Sequence, residues 1–493
     1  MNILLLHPKF PDTYWSFKHA LRFVSKKVNN IPLGLVTVAA LLPEKWQKKL
    51  IDLNFEKVTD KQLQWADYVF ISALSVQIQS VRPVIERCKK AQKKIVAGGP
   101  LFSDEPELFD DIDHLVLDEA EITLPLFLDD LQKGIPRRKY QTSQHADITR
   151  SPAPDYSLLK LNNYYSAGIQ YTRGCPHNCE FCDITARLGR KVRCKSTGQI
   201  INELDRLLES GWKGNVFFVD DNFIGNRKKL KSELLPGMIR WMKEHHHPFV
   251  FITEATISLS DDRELMNLMV QAGFSRVFVG IETPDEASLT ECNKTQNNGR
   301  DLVQCVHIIQ NEGIEVSAGF IVGFDNDQPD IFQRQIDFIQ KSGIITAMVG
   351  LLNAPRLSRL YHRLKKEGRI LHSFSGDNTD YSINFIPAMK GEQLMEGYRK
   401  ILQGIYSGKP FYERVKTFLM HYNPPFRAQT QLSWIKLGAF LKSMFYIGLL
   451  DRNRKHYWQL VFWSLSKKPK VLPLAVTYSI FGYHFGKVFE ITE

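Results

Sequence analysis

The sequence has few cysteines, seven among 493 residues. Seven are too few for the disulfide framework of a secreted scaffold, and three of them fall close together. A reducing compartment and a metal or catalytic site are therefore expected. A long apolar run is also missing. The longest, Val471–Gly486, is interrupted by Pro473 and His484, whereas a spanning helix needs about 20 residues. The start, MNILLLHPKF, has no basic residues ahead of its short apolar run and no small-residue cleavage site, so it reads as a strand and not as a signal peptide. A cytoplasmic protein is expected. There is no internal repeat or low-complexity tract. With 43% hydrophobic and 24% charged residues, a disordered or collagen-like chain is excluded. Acidic residues are scarce at one end. Residues 409–493 hold 13 Lys/Arg against 4 Asp/Glu, which is +9 of the net +11, and 18 of the 56 aromatic residues.

At about 150 residues per domain, three domains are expected. Apolar runs at Ile3–Leu6, Asp67–Ser72, Lys94–Gly98 and His114–Leu117 alternate with amphipathic stretches such as Val81–Lys93. This alternation predicts a parallel sheet covered on both faces, so residues 1–135 read as a doubly wound, Rossmann-like α/β domain. Such domains bind ligands beyond the carboxyl ends of their strands. Residues 136–166 carry three prolines and little periodicity, and read as a surface linker. Over residues 167–355 the alternation resumes with a longer period. Strands are predicted at Gly168–Thr172, Asn215–Val219, Phe249–Thr253, Arg276–Ile281, Val316–Val322 and Ala347–Leu352. Six such βα units predict a partial barrel with its chemistry just after each strand. Residues 356–493 lose the alternation and read as a mostly helical, basic, aromatic-rich extension.

The first barrel strand is followed by TRGCPHNCEFC, which spaces Cys175, Cys179 and Cys182 as C-x3-C-x2-C. Three thiolates on one tight loop can hold three corners of a 4Fe–4S cubane, because soft sulfur ligands suit iron. No fourth cysteine lies nearby in sequence, which leaves one iron open to another ligand. Zinc is the alternative, although zinc sites usually bring a second Cys/His pair at short spacing. Cys88, Cys194, Cys292 and Cys305 are scattered and read as buried structural thiols, and His245–His247 as a solvated turn.

The cysteine spacing, with Phe181 before the last cysteine, resembles the radical S-adenosylmethionine (SAM) superfamily. The resemblance implies that SAM chelates the open iron and is cleaved by one electron to a 5′-deoxyadenosyl radical. Further motifs of that family recur in order at strand ends. FFVDDNF supplies Asp220, Asp221 and Asn222 for the methionyl amino group, a role that suits a carboxylate. ITEA supplies Glu254 at the same rim, VGIETP supplies Glu282 for a ribose hydroxyl or the methionyl end, and ECNK supplies Lys294 for the methionyl carboxylate. SAGFIVGFD resembles the glycine-spaced adenine motif, here Gly319, Ile321 and Gly323.

A doubly wound domain ahead of such a barrel resembles the cobalamin-dependent branch. The matching segments are ISALSVQ (Ser72, Leu74, Ser75), AGGP (Gly98, Gly99, Pro100) and LDEAE (Glu119, Glu121). The D-x-H-x-x-G cobalt-ligating motif is absent, so no histidine of that motif is expected on the cobalt. Across residues 1–420 the pattern is most similar to the hopanoid 2-methylase type, with PRLSRLYHRLKKEGR and SINFIPAM in its helical extension. The resemblance implies a cobalamin-dependent radical SAM C-methyltransferase acting on an unactivated carbon, of a lipid such as a hopanoid or another small molecule. It implies one 4Fe–4S cluster, SAM and cobalamin as cofactors, and a flavodoxin or ferredoxin as one-electron donor. A lipid or tetrapyrrole ring-forming enzyme with the same cofactors is the alternative. The basic aromatic tail, with Trp434, Trp458 and Trp463 suited to a water–lipid boundary, reads either as a peripheral docking surface for the cytoplasmic face of a membrane or as a helical lid whose aromatics pack on the barrel and whose lysines are solvated. A nucleic-acid partner is not expected.

Overall fold

The computed structural model describes residues 1–422 and 434–490; the side chain of Trp434 lies outside that description. Fifteen strands occur in chain order among the described residues. They are β1 (Asn2–His7), β2 (Val28–Asn30), β3 (Gln47–Asp52), β4 (Tyr68–Ser72), β5 (Lys94–Gly98), β6 (His114–Val116), β7 (Lys139–Tyr140), β8 (Tyr164–Ile169), β9 (Thr172–Arg173), β10 (Arg193–Cys194), β11 (Gly214–Phe218), β12 (Phe249–Ala255), β13 (Phe274–Glu282), β14 (Glu315–Val322) and β15 (Ala347–Leu351).

The first sheet is parallel, with order β3-β1-β4-β5-β6-β7. Its central strands are apolar on both sides, and Ile3, Leu4, Leu5 and Leu6 are all fully buried, because helices cover both faces. The order reverses between β1 and β4. That switch point opens a crevice at the carboxyl ends, beside Ser72 and the loop after it.

The second sheet is also parallel, with order β15-β14-β13-β12-β11-β8-β2. Its strands lie in chain order across the sheet and are joined by crossovers, as in an open half-barrel. Six of them correspond to the expected runs. The seventh, β2, comes from the first 30 residues and pairs with β8. Its three residues carry too little pattern to be seen in the sequence. In β12 the side chains alternate between full burial at Phe249, Phe251, Thr253 and Ala255 and partial burial at Val250, Ile252 and Glu254. One face therefore packs on helices and the other lines the barrel interior.

The stretch expected as a surface linker is anchored instead. β7 extends the first sheet beside β6, and Tyr140, Ala146, Ile148, Tyr156 and Tyr164 are buried. The Tyr156 hydroxyl donates to the Gly168 carbonyl at 3.0 Å. Its aromatic residues override the proline signal by giving the chain apolar surface to bury.

The C-terminal extension is helical, as expected. Helix Gly391–Tyr406 packs on helix Ile331–Ser342, where Gly397 leaves room for the Phe332 ring. The last helix, Leu472–Val488, returns to the N-terminus. Phe485 stacks on Tyr14 at 4.6 Å, and His484 Nε2 lies 3.1 Å from the Tyr14 carbonyl oxygen. Phe481 approaches the Arg276 guanidinium at 5.7 Å, beside the pair of half-buried Arg276 and buried Glu315 at the start of β13 and β14. The extension thus closes the amino-terminal end of the half-barrel, opposite the strand ends where chemistry is expected. No helix among the described residues is long and apolar enough to cross a membrane.

Candidate active site between two facing sheet edges

β9 and β10 pair antiparallel, with Arg193 opposite Arg173. The cysteine segment is therefore a closed excursion pinned at both ends. Gly174 sits at its root with φ +89, and a Cβ there would lie 2.8 Å from the Gly189 and Lys191 carbonyl oxygens. Only glycine fits. Asp220, at the end of β11, accepts from the backbone N–H groups of Tyr171 and Thr172. Both of its oxygens are thus spent on holding the root of the loop. Burial pushes its pKa to about 7 despite these donors.

Cys179 is buried and Cys175 and Cys182 are half-buried. Burial raises both half-buried thiols, against the backbone N–H of His177 at Cys175 and of Ile184 at Cys182. Gln296 approaches Cys179 Sγ with its Nε2 at 3.8 Å. Among the described residues, no three His, Cys, Asp or Glu side chains converge as the ligands of a single ion would. Cubane ligands need no such convergence, since each thiolate binds a different iron.

Beside this loop the inner ends of β11, β12 and β13 bring together Asp221, Asn222, Glu254, Glu282 and Lys294. The β13–β14 register shifts between Gly280 and Glu282, and Glu282 takes φ +65. This bulge turns the carboxylate inward. It accepts from Lys294 Nζ at 2.5 Å, and both side chains are buried. A Cβ on Gly280 would collide with this pair. Burial works against the Lys294 charge, but the Glu282 carboxylate outweighs it and holds the ammonium well above the usual lysine range. Desolvation raises Asp221 to about 6 and Glu254 to about 8, and Asp221 and Asp220 repel the Glu254 charge further. Asn222 Oδ1 is buried without a partner, as are Gln296 Oε1 and Asn297 Oδ1.

A carboxyl held at about 8 in the fold favours the fold only while protonated. It loses stability as pH rises from the ordinary carboxylate range toward that value. Glu254→Gln is therefore expected to raise the melting temperature of the ligand-free protein. The gain should be small near pH 4.5 and grow until about pH 8. Melting curves across that range check it; a gain independent of pH would contradict the assigned repulsion.

β14 supplies the glycine-spaced segment. A Cβ on Gly319 would stand 3.0 Å from the Phe278 ring, and Gly323 takes φ +110. Asp327 accepts from the N–H groups of Gly323 and Phe324 at 2.8 and 3.1 Å, and from Ser288 Oγ at 2.9 Å. Ile321 and Phe181 pack together around Cys292, Phe324 and Leu352.

At the first sheet, Gly99 takes φ +91, and a Cβ there would meet Ser72 Oγ at 2.7 Å. A Cβ on Gly98 would strike the Val116 carbonyl. Pro100 begins a short helix, Ser75 begins a 3-10 turn, and Leu74 is 45% exposed. The strand ends at the switch point are thus bare backbone with small side chains. Glu119 and Glu121, expected at the same face, are committed elsewhere. Arg173 donates to Glu119 Oε2 at 2.9 Å and to Glu121 Oε1 at 2.7 Å, and Arg193 donates to Glu119 Oε2 at 2.8 Å. Arg187 bridges Asp104 of the first domain to Asp183, next to Cys182, at 2.7 and 2.8 Å. These arginines flank the cysteines on both sides, so the carboxyl ends of the two sheets are bolted face to face. The segment Ser373–Asp380 crosses the same cleft. The Asn378 carbonyl accepts from Leu351 N at 3.1 Å, and Gly376, φ +84, lies against the backbone of Val76. Sequence reasoning missed Arg173, Arg187, Gln296, Asn297 and this crossing segment. The polar run NKTQNN was the one signal that pointed to any of them.

Residues 24–128 match a B12 binding domain, residues 169–339 the Radical SAM superfamily and residues 358–493 a domain of unknown function. The chain is 38% identical to an uncharacterized methyltransferase of Synechocystis sp., covering all of this chain and 93% of that protein. It is 33% identical to the Hopanoid C-2 methylase of Rhodopseudomonas palustris, over 85% of this chain and 80% of that one. The chain belongs to the cobalamin-dependent radical SAM methyltransferases. The solved structure of the cobalamin-dependent SAM radical enzyme OxsB, with aqua-cobalamin and SAM bound, shares the fold at TM-score 0.62. It is 15% identical and covers 99% of this chain and 80% of OxsB. Members of this family take a 4Fe–4S cluster, SAM and cobalamin, and the residues present fit all three. Three thiols lie on the loop, orphaned amide oxygens and a buried Lys–Glu pair stand beside it, and glycines leave the facing strand ends without side chains.

Proposed function

We propose that this methyltransferase acts on an unactivated carbon of a hopanoid-type lipid. The observation that carries the reading is the 33% identity with a hopanoid C-2 methylase over 85% of the chain. When bound, the cluster and SAM supply a 5′-deoxyadenosyl radical, and cobalamin carries the methyl group. Cys175, Cys179 and Cys182 would hold the cluster. Asn222 Oδ1, Asp221 and Glu254 would accept from the methionyl ammonium. Lys294, held in place by Glu282, would meet the carboxylate, and the β14 glycines would let the adenine approach the backbone. Ser72, Ser75, Gly98 and Gly99 would form the floor for cobalamin. The arginine bolts would keep both cofactors on one cleft and exclude water from it. Asp220 acts as a positioning residue for the loop. A flavodoxin or ferredoxin would supply the electron. Lipid mass spectrometry of cells with and without the gene tests the substrate. The reading expects loss of a lipid heavier by one methylene than its precursor. A lost product lighter by two hydrogens would point to ring closure, and an unchanged lipid profile would contradict the reading.

We further infer that the chain docks on a membrane through a surface other than the one Trp458 and Trp463 suggested; the Trp434 side chain lies outside the described residues. Trp458 donates its indole N–H to the Gly448 carbonyl at 2.9 Å, and Trp463 packs against the core. The exposed apolar side chains are instead Ile435, Leu441 and Phe445 of helix Trp434–Tyr446, with Leu449, Leu450 and Phe462, each more than half exposed. Monomers rarely expose such sets without an interaction partner. Basic residues of the same segment would favour an anionic leaflet, by about 1 kcal/mol each. Leu441→Glu with Phe445→Glu is expected to abolish co-sedimentation with anionic vesicles at low salt while leaving the fold intact. Full-length protein that stays in the supernatant with those vesicles would contradict the docking.

A further inference from the structure

Resting on the reading of the chain as a reductively started radical enzyme, we infer that the basic surface over the cysteine loop is the landing site for an acidic one-electron carrier protein. The loop meets solvent at Pro176, which is exposed between Cys175 and Cys179. Two exposed arginines grip this outer side. Arg190 Nη2 donates to the Pro176 carbonyl at 3.1 Å, and Arg359 Nη1 donates to the Asn178 carbonyl at 3.2 Å. Helix Arg359–Lys366 lies along the loop. Its Leu360 and Leu364 are buried, and the Leu360 N–H donates to the Glu180 carbonyl at 2.9 Å.

The carboxylates of this region are engaged by arginines. Arg363 pairs with Glu180, Asp325 and Glu291, and Arg369 pairs with Asp325 and Glu367. These two arginines do not balance the four carboxylates by themselves, but the exposed Arg190, Arg359, Lys191, Lys365 and Lys366 add five positive charges, so the surface is net basic. Lys191, Lys365 and Lys366 are exposed, and none pairs with a carboxylate among the described residues. Lys191 belongs to the strand of chain that brackets the loop root, since its carbonyl faces Gly174. An electron entering here has only the loop to cross. On its other side the loop faces the first domain across the Arg187 bridge between Asp104 and Asp183. An acidic carrier matches this field, and such complementarity acts chiefly on encounter rate and salt dependence.

The test compares wild-type holoenzyme with the variant K191E/K365E/K366E, whose substitutions touch neither the loop carbonyls nor the recess. A flavodoxin is the protein reductant and titanium(III) citrate the chemical one. Calorimetric binding of oxidised flavodoxin at low ionic strength should weaken about tenfold or more in the variant. Flavodoxin-driven 5′-deoxyadenosine formation should fall by a similar factor and lose its salt sensitivity, while the titanium-driven rate and vesicle sedimentation stay at wild-type levels. Unchanged flavodoxin binding would overturn the assignment. So would equal loss under both reductants, or loss of vesicle binding, which would assign the lysines to the membrane face. If neither reductant yields 5′-deoxyadenosine from wild type, the enzyme reading itself fails, and the calorimetry still decides the surface.

Discussion

Replacing Cys179 by alanine is expected to remove the iron–sulfur absorbance of reconstituted protein and reduce 5′-deoxyadenosine formation below detection. Cys179 is the most buried residue of the three cysteines, and Gln296 stands against its sulfur. With two thiolates left, the cubane would lose an anchored corner, and the remaining loop has no replacement cysteine. Cys292 is the nearest alternative in the fold, because its carbonyl accepts from Glu180 N at 2.8 Å. Its own sulfhydryl, however, is turned to the Leu289 carbonyl at 3.6 Å. Cys292→Ala is therefore expected to keep both iron and cleavage activity. Iron content and 5′-deoxyadenosine measured side by side on the two variants check this. Retention of cluster in Cys179→Ala, or its loss in Cys292→Ala, would show that the ligand set has been misassigned.

The second large effect is expected at Arg173. It is mostly buried and donates to both Glu119 and Glu121. Burial works to raise the Glu121 pKa, but the Arg173 hydrogen bonds and charge outweigh it and hold it at about 2. A depressed carboxyl contributes stability above its unfolded value, and that stability is lost as pH falls from the ordinary carboxylate range through about 2. Arg173→Ala leaves two carboxylates buried and short of partners, a loss of about 3–5 kcal/mol. The melting temperature should fall sharply at neutral pH, and the deficit should shrink on acidification as the orphaned carboxylates protonate. Glu119→Gln with Glu121→Gln should lose less, since amides can still accept from the arginine. Because Arg173 stands two residues before Cys175, the variant that folds should still cleave SAM but yield fewer methylated products per 5′-deoxyadenosine. A variant with wild-type stability and wild-type coupling would show that the bolt has no positioning role.

Much of the candidate site could be marked out in the sequence before the fold was known. The cysteine loop, the strand-end carboxylates and the glycines of β14 are local signals, each contained in a few consecutive residues and ordered by the barrel. The six barrel strands are apolar runs whose pattern is intrinsic to the chain. What escaped reading depends on contacts distant in sequence. β2 joins the barrel through pairing with β8, not through any strength of its own pattern. Glu119 and Glu121 were visible as carboxylates after a strand, but their partner lies more than 50 residues on, so the sequence offered no way to tell a cofactor contact from a domain bolt. Residues 136–166 read as linker because proline suppresses periodicity, yet buried tyrosines fix them in place. In the C-terminal extension, aromatic content alone could not distinguish core from interface. Tyr457, Tyr478 and Phe485 are fully buried, while Phe445 and Phe462 face solvent.

The most direct test of the account uses the purified holoenzyme with SAM deuterated in its methyl group, a reductant and a hopanoid-containing lipid extract, with and without cobalamin. The account predicts a lipid carrying the labelled methyl, formed together with 5′-deoxyadenosine, and only when cobalamin is present. A labelled product that forms equally well without cobalamin, or 5′-deoxyadenosine accompanied by an unlabelled ring-closed lipid, would contradict it.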